Sequence, residues 1–353
     1  MIKSNRWFNF FLQKLIDTWK VNIEVCALFT WIHPKTITWY VKKNYEKEKL
    51  IWWIKVWKIT IPIEKISKNG YFNPKKLWKR LNIDEKNIWN QVYTIYSNPD
   101  LWEKWLVWIF PWVKSQDIIN FTNKFCKKED KLIVKEISMD MANSMAKIVK
   151  MVFSSAVQIV DRFHVMKNVL EDMNALITKN KTVIKKVYLT EQEQAKIDRR
   201  QPKHQRYWNW ETWMDIITKC RHQFVKRRKD WNINQVNRWE TMELIPMFSE
   251  IVAMYKKIEE IFNIYDFSTC KKTAKKRFER WFSSLSNLDF ITELQNTWRM
   301  IKNHFDRILN YFRTRLTNWY AEWLNSRIQR VISNSRWFKN DDYMIYRIIK
   351  IFW

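Results

Sequence analysis

LNIDEKNIWNQVYTIYSN, residues 81–98, decides how this chain is read. LNIDEKNI (81–88) and QVYTIYSN (91–98) are rich in β-branched and aromatic residues, and they read as strands with a polar turn between them. LVWIFPWV (106–113) predicts a third strand, and SQDIINFTNKF a helix from Ser115 to Phe125. Beyond it, LIVKEISMD (132–140) predicts a buried strand ending in Asp140. A helix from Asn143 to Phe153 and a strand over AVQIVDRFHV (156–165) follow.

This β-β-β-α-β-α-β order is that of an α/β domain with the ribonuclease-H-like fold. Two acids fall where such a fold does chemistry. Asp84 lies in the middle of the first strand and Asp140 at the end of the fourth. An acid within an apolar strand is costly unless it is paired or metal-bound. A third acid has to come from a helix beside the strands. Glu322 is the candidate, in TNWYAEWLNSRIQRVI (317–332), where Leu324, Ile328, Val331 and Ile332 form an apolar stripe. Asn325 and Gln329 lie one and two turns on along its face. Each acid also has a plain structural reading: a strand-edge aspartate for Asp84, a helix N-cap for Asp140, a solvated helix position for Glu322. With 36 Asp and Glu in the chain, no single acid decides.

Composition adds an anomaly. The chain has one glycine, Gly70, and 24 tryptophans in 353 residues. Average usage, about 7%, predicts roughly 25 glycines in this length. The tryptophans therefore fill the deficit, and many stand beside polar, turn-like residues where glycine relieves strain. A UGA codon read as Trp in translation but as Gly in the source accounts for this. The other reading makes the tryptophans stacking platforms for nucleic acid.

A net charge of +28 with pI about 9.8 implies a polyanionic partner, most often nucleic acid. The basic residues are densest at 199–206, 221–229 and 271–280. Cys26, Cys126, Cys220 and Cys270 are far apart and make no zinc spacing, which suits reduced thiols in a cytoplasmic, nucleoid-associated protein. No signal peptide or apolar run near 18 residues is present, so no membrane partner is expected.

The N-terminal residues 1–48 predict a helix-turn-helix DNA-binding domain. Phe8, Phe11, Leu12, Leu15 and Ile16 recur at helical spacing. Ala27, Trp31 (as Gly) and Ile37 then fill the small, turning and back-facing positions of that motif. Pro34 would open the second helix, with Lys35, Thr36 and Thr38 pointing at DNA. An αα-hairpin of another purpose is the alternative. Residues 49–80 read as short strands, IWWIKVWKITIPI (51–63), and a linker from Glu64 to Arg80.

The chain resembles the DDE transposases of the ISL-three insertion-sequence family. NIDEK (82–86), ISMDM (137–141), IVDRFHVMKNVLEDMNAL (159–176), ILNYFRTRLTNWYAEWLNSRIQRV (308–331) and SRWFKNDDYMIYRIIKIF (335–352) carry the resemblance. It implies a catalytic domain over 81–173 and 317–353, interrupted by an α-helical insertion over 174–316. It implies Asp84, Asp140 and Glu322 as ligands of two Mg²⁺ ions, with Mn²⁺ as a substitute. The activity implied is cleavage and strand transfer at the terminal inverted repeats of an insertion sequence, with double-stranded DNA as substrate and target and a homo-oligomer in the synaptic complex. Asp161, His164 and Asn325 would support the site. Arg227, Arg228, Lys275 and Lys276 lie in the insertion's basic runs, where phosphate contacts are expected. The family commonly has a small residue where Trp319, Trp323 and Trp337 stand, and true tryptophan at Trp231 and Trp281. Many relatives begin with a cysteine-rich zinc segment, which this sequence lacks. The runner-up function is a non-enzymatic helix-turn-helix DNA-binding protein derived from an inactive transposase. A resolvase of the same fold is a third reading.

Overall fold

The structure, a computed structural model, describes residues 24, 27–28, 32–51, 53–56, 59–62, 71–72, 76–89, 91–101, 106–111, 114–207, 210–317, 319–334 and 340–352. It divides into two compact units, Met1–Ile159 with Leu316–Trp353, and Val160–Arg315. The boundaries differ from the expected 174 and 316 chiefly at the first cut, which falls before the DRFH stretch.

In the first unit, helix α1 spans Pro34–Ile51. Proline suits a helix start because its missing N–H has no intrahelical partner there. Ile37 and Val41, one turn apart, are buried. The helix crosses the expected domain boundary at 48. The first helix and Trp31 of the expected helix-turn-helix lie outside the described residues, although Ala27 is helical. Strands β1 (Trp53–Val56) and β2 (Ile59–Pro62) pair as an antiparallel hairpin. Strand β3 (Tyr71–Phe72) pairs with a later strand, so part of the expected linker is an edge of the main sheet.

That sheet holds β4 (Arg80–Ile88), β5 (Gln91–Ser97), β6 (Leu106–Phe110), β7 (Glu136–Met139) and β8 (Val157–Val160), in the order β3-β6-β5-β4-β7-β8. Pairs β4/β5 and β5/β6 are antiparallel, whereas β4/β7 is parallel. Helices α2 (Ser115–Phe125), α3 (Lys128–Ile133) and α4 (Asn143–Val152) come from the same unit, and α2 packs on α4.

Two strands are shorter than their sequences predict. Residues 132–140 divide between the end of α3 and β7, leaving Leu132 and Ile133 exposed while Val134, Ile137 and Met139 turn inward. The apolar run is shared between a helix end and a strand, which periodicity alone does not separate. In 156–165 the strand stops at Val160, because Asp161 caps the following helix through its carboxylate and the Phe163 N–H, 3.3 Å away.

The second unit is helical: α5 (Arg162–Ile197), α6 (Trp213–Lys219), α7 (Ile233–Glu243), α8 (Ser249–Phe267), α9 (Lys271–Ser283), α10 (Thr292–Asn303) and α11 (Phe305–Thr314). Helices α8 and α10 pack along α5, and α9 packs on α8 and α11. Its core is aromatic. Trp231 stacks on Tyr255 at 5.1 Å, and Tyr265 on Phe312 at 5.2 Å. The Trp231 and Trp281 indole N–H groups donate to the carbonyls of Gln223 and Lys257, each at 3.0 Å. The chain then returns to the first unit as α12 (Trp319–Asn334) and α13 (Asp341–Phe352). Leu324, Ile328, Val331 and Ile332 of α12 join the sheet's own core, as their stripe predicts.

Two tryptophans hold a backbone conformation that their side chains disfavour. Trp89, first residue of the two-residue connection between β4 and β5, has φ 53°, and Trp210 has φ 61°. Trp210 turns a tight hairpin in which its N–H donates to the Tyr207 carbonyl at 2.8 Å and Arg206 bridges to Thr212. Left-handed backbone costs a residue with a Cβ about 1–2 kcal/mol, and glycine far less.

Candidate active site

The site is built on β4. Asp84 is its central residue, with Ile95 of β5 opposite. On the other side, the parallel register pairs Arg80 with Glu136, Leu81 with Ile137 and Asn82 with Ser138. Carried on by two residues, the same register would set Asp140 level with Asp84, although β7 itself ends at Met139. Neighbouring strands lie roughly 4.8 Å apart. Asp140 follows the last residue of β7, and its Oδ1 accepts the Ala142 N–H at 2.8 Å at the entrance to α4.

Glu85 registers the charge of both aspartates. Burial pushes its carboxyl above the usual range, and the negative charges of Asp140 and Asp84 push it the same way. Burial lowers the neighbouring Lys86 ammonium, while Asp84 acts to raise it.

Helix α12 closes on Asp84. It packs on β4 and β5, and the Asn325 Nδ2 donates to Asp84 Oδ2 at 2.6 Å. Asp84 Oδ1 accepts the Glu85 N–H at 2.9 Å. Asn325 and Asp84 are 241 residues apart in the chain. Glu322 stands one turn before Asn325, at the i, i+3 spacing that shares a helix face, and is half-buried. Asn325 is thus one residue of α12 bonded to the strand acid. Among the described residues, no three His, Cys, Asp or Glu side chains meet at metal-ligating distance.

The remaining expected residues scatter. Asp161, buried, is the N-cap of α5, and the His164 ring lies edge-on to Phe163 at 5.6 Å. Both belong to the helical unit. On α1, Lys35 and Thr36 are exposed, whereas the Thr38 hydroxyl donates back to the Pro34 carbonyl at 2.9 Å. Arg227 is engaged within its own unit, paired with Asp266 and bonded to Asn263. Arg228 lies over the Trp239 ring at 6.0 Å. Lys275 and Lys276 are exposed on α9, with Glu279 3.9 Å from Lys275. Two further cations of the same expected basic run, Arg277 and Arg280, line a cleft beside them.

With this geometry in view, the profile of a transposase family, that of the ISL-three DDE enzymes, matches residues 81–348. The chain belongs to that family. No curated protein and no solved structure matches it. The matched span takes in Asp84, Asp140, Glu322 and Asn325. Among the described residues, no helix of this transposase is long and apolar enough to cross a membrane.

Proposed function

We propose that this transposase is a DDE enzyme of ribonuclease-H-like fold that cleaves DNA at the ends of an insertion sequence and joins the freed ends to target DNA, with Asp84, Asp140 and Glu322 as its acids. The Asn325–Asp84 bond carries the reading, because it ties the helix bearing Glu322 to the central strand acid. The strand order β6-β5-β4-β7-β8, three antiparallel strands followed by a parallel neighbour, supports the fold. Helix α1, opened by Pro34 and burying Ile37 and Val41, supports an N-terminal DNA-reading element in which Lys35 and Thr36 face solvent. Joining two element ends calls for a homo-oligomer in the synaptic complex.

The donor set suits two Mg²⁺ or Mn²⁺ ions held by Asp84, Asp140 and Glu322. Carboxylate oxygens are the ligands hard divalent cations take, and the Asn325 amide is a neutral donor, which leaves the Asp84 charge in place. When bound, the ions supply Lewis acidity for phosphoryl transfer. The chain's own part is to hold the acids on rigid elements, orient Asp84 through Asn325, and bind the polyanionic substrate through its excess of cations. Hydrolysis of a phosphodiester frees a 3′-OH, which then attacks a target phosphodiester.

The test uses DNA carrying the sequences that flank the gene. Asp84→Asn, Asp140→Asn and Glu322→Gln are each expected to abolish metal-dependent nicking and joining while leaving DNA binding intact. Wild-type strand transfer by any one of them removes that residue from the set. Binding without nicking by the unaltered protein would instead establish the non-enzymatic DNA-binding reading.

The positive φ of Trp89 and Trp210 supports a further part of this reading, that the turn tryptophans stand where the working enzyme has glycine. Trp231 and Trp281, buried with their N–H groups bonded, fit as native tryptophans. The codons test this directly: UGG at 89 and 210 would end it.

A further inference from the structure

The helical unit holds a cationic cleft of about 330 Å³ between α8 and α9, lined by Lys257, Glu260 and Asn263 on one side and Arg277, Arg280 and Ser284 on the other. Its walls are held together. The Trp281 indole donates to the Lys257 carbonyl at 3.0 Å, and the Lys257 ammonium donates to Glu260 at 2.7 Å and to the Ser284 hydroxyl at 2.8 Å. These bonds cancel the one acid in the cleft. Arg277 and Arg280, one turn apart on the same face, have no ion pair or hydrogen bond to their guanidinium groups among the described residues. Elsewhere in the unit, Arg162, Arg200, Arg227 and Arg238 all have carboxylate partners.

We propose that this cleft seats a backbone phosphate of duplex DNA, gripped by Arg277 and Arg280. The proposal rests on the reading that the protein acts on DNA, and names a contact surface for it outside the acidic site. Arginine's planar fork matches phosphate oxygens in two-point contact. The cleft does not stand alone: Lys272, Lys275 and Lys276 are exposed along the same helix. Lys272 to Arg280 spans ~12 Å, enough to follow several phosphates at 3.4 Å of rise each. A basic run is ordinarily a solvated helix face. What sets this one apart is a preformed recess with its acid neutralised and two arginines that have no partner among the described residues.

The experiment measures binding of a fluorescent 30-base-pair duplex of arbitrary sequence to the full chain, in buffer with EDTA, from 50 to 200 mM salt. The Arg277→Glu/Arg280→Glu double variant is expected to lower affinity and to reduce the slope of log affinity against log salt by about 2, so that wild type loses roughly tenfold more affinity than the variant across that range. Arg277→Lys/Arg280→Lys is expected to keep the slope. A matched reversal of two exposed lysines on α5, Lys185→Glu/Lys186→Glu, is expected to change it much less. An unchanged slope in the cleft variant, or an equal loss in the α5 variant, overturns the proposal. If the charge reversal unfolds the chain, Arg277→Gln/Arg280→Gln is read by the same slope. Because the assay excludes divalent metal, it does not depend on cleavage. A failed cleft with intact nicking, and a working cleft without nicking, are distinguishable results.

Discussion

Particular acids of the two units have opposite surroundings. In the helical unit Glu211 and Glu191 are matched to cations. Glu211 accepts from Arg238 at 3.0 Å and from Lys219 at 2.7 Å, and these bonds outweigh burial to leave its carboxyl below the usual range. Glu191 accepts from Arg200 and from the Lys203 N–H, which takes it down to about 2. In the α/β unit, by contrast, burial and then the charges of Asp140 and Asp84 push the Glu85 carboxyl up, and Asp84 receives a neutral amide from Asn325. Acids matched to cations hold a fold together. Acids gathered beside one another cost stability and mark a place where something positively charged is expected to bind.

This contrast can be broken by mutation. Its strongest form is that Asp84→Asn, expected to abolish nicking, leaves the melting temperature unchanged or higher, because it removes a like charge beside Glu85. A large fall in melting temperature would make Asp84 a structural residue. Arg238→Ala in the helical unit should do the reverse, lowering stability by about 1–3 kcal/mol through the loss of a charged bond to the buried Glu211, as read by denaturant melts. Asn325→Ala is expected to slow nicking about 10–100-fold, the usual cost of removing a residue that orients a metal ligand. Asn325→Asp, which makes a like-charge neighbour for Asp84, should not rescue it.

Smaller effects sharpen the picture. Trp210→Gly should stabilise the helical unit by about 1 kcal/mol, since glycine adopts the left-handed turn without a Cβ penalty. No gain, or a loss, would show that the exposed Trp210 ring contributes contacts that outweigh its strain. Least of all, Glu191→Gln should remove one part of the acid dependence of stability. A carboxyl depressed in the folded state contributes above its unfolded value of 4.5, and the contribution disappears as pH falls toward about 2. The variant's melting temperature should therefore change less than wild type's between those values.

Much of this could be read along the chain. The strands at 81–88 and 91–98, the helix from Ser115 and the apolar stripe of α12 all follow from local periodicity, which survives without tertiary context. Where the reading failed, two elements competed for one stretch. Residues 132–135 are apolar enough for a strand, but the helix begun at Lys128 runs through Ile133, and Asp161 ends a strand by capping a helix. The i, i+3 spacing of Glu322 and Asn325 was visible, but not that Asn325 bonds Asp84. Arg277 and Arg280 were legible as members of a basic run, but a run of charges does not say which members already have partners.

The residues alone determined that Asp84 lies in a strand and Glu322 on a helix, that the chain is strongly cationic, and that tryptophan is as abundant as glycine is scarce. The folded chain decided the rest. The parallel β4/β7 pairing brings the end of β7, which Asp140 follows, beside β4, and α12 returns across 241 residues to put Asn325 on Asp84. Periodicity describes each segment against its own axis. Which strand lies beside which, and which helix face meets which acid, depends on packing among segments distant in the chain, and no local pattern encodes it.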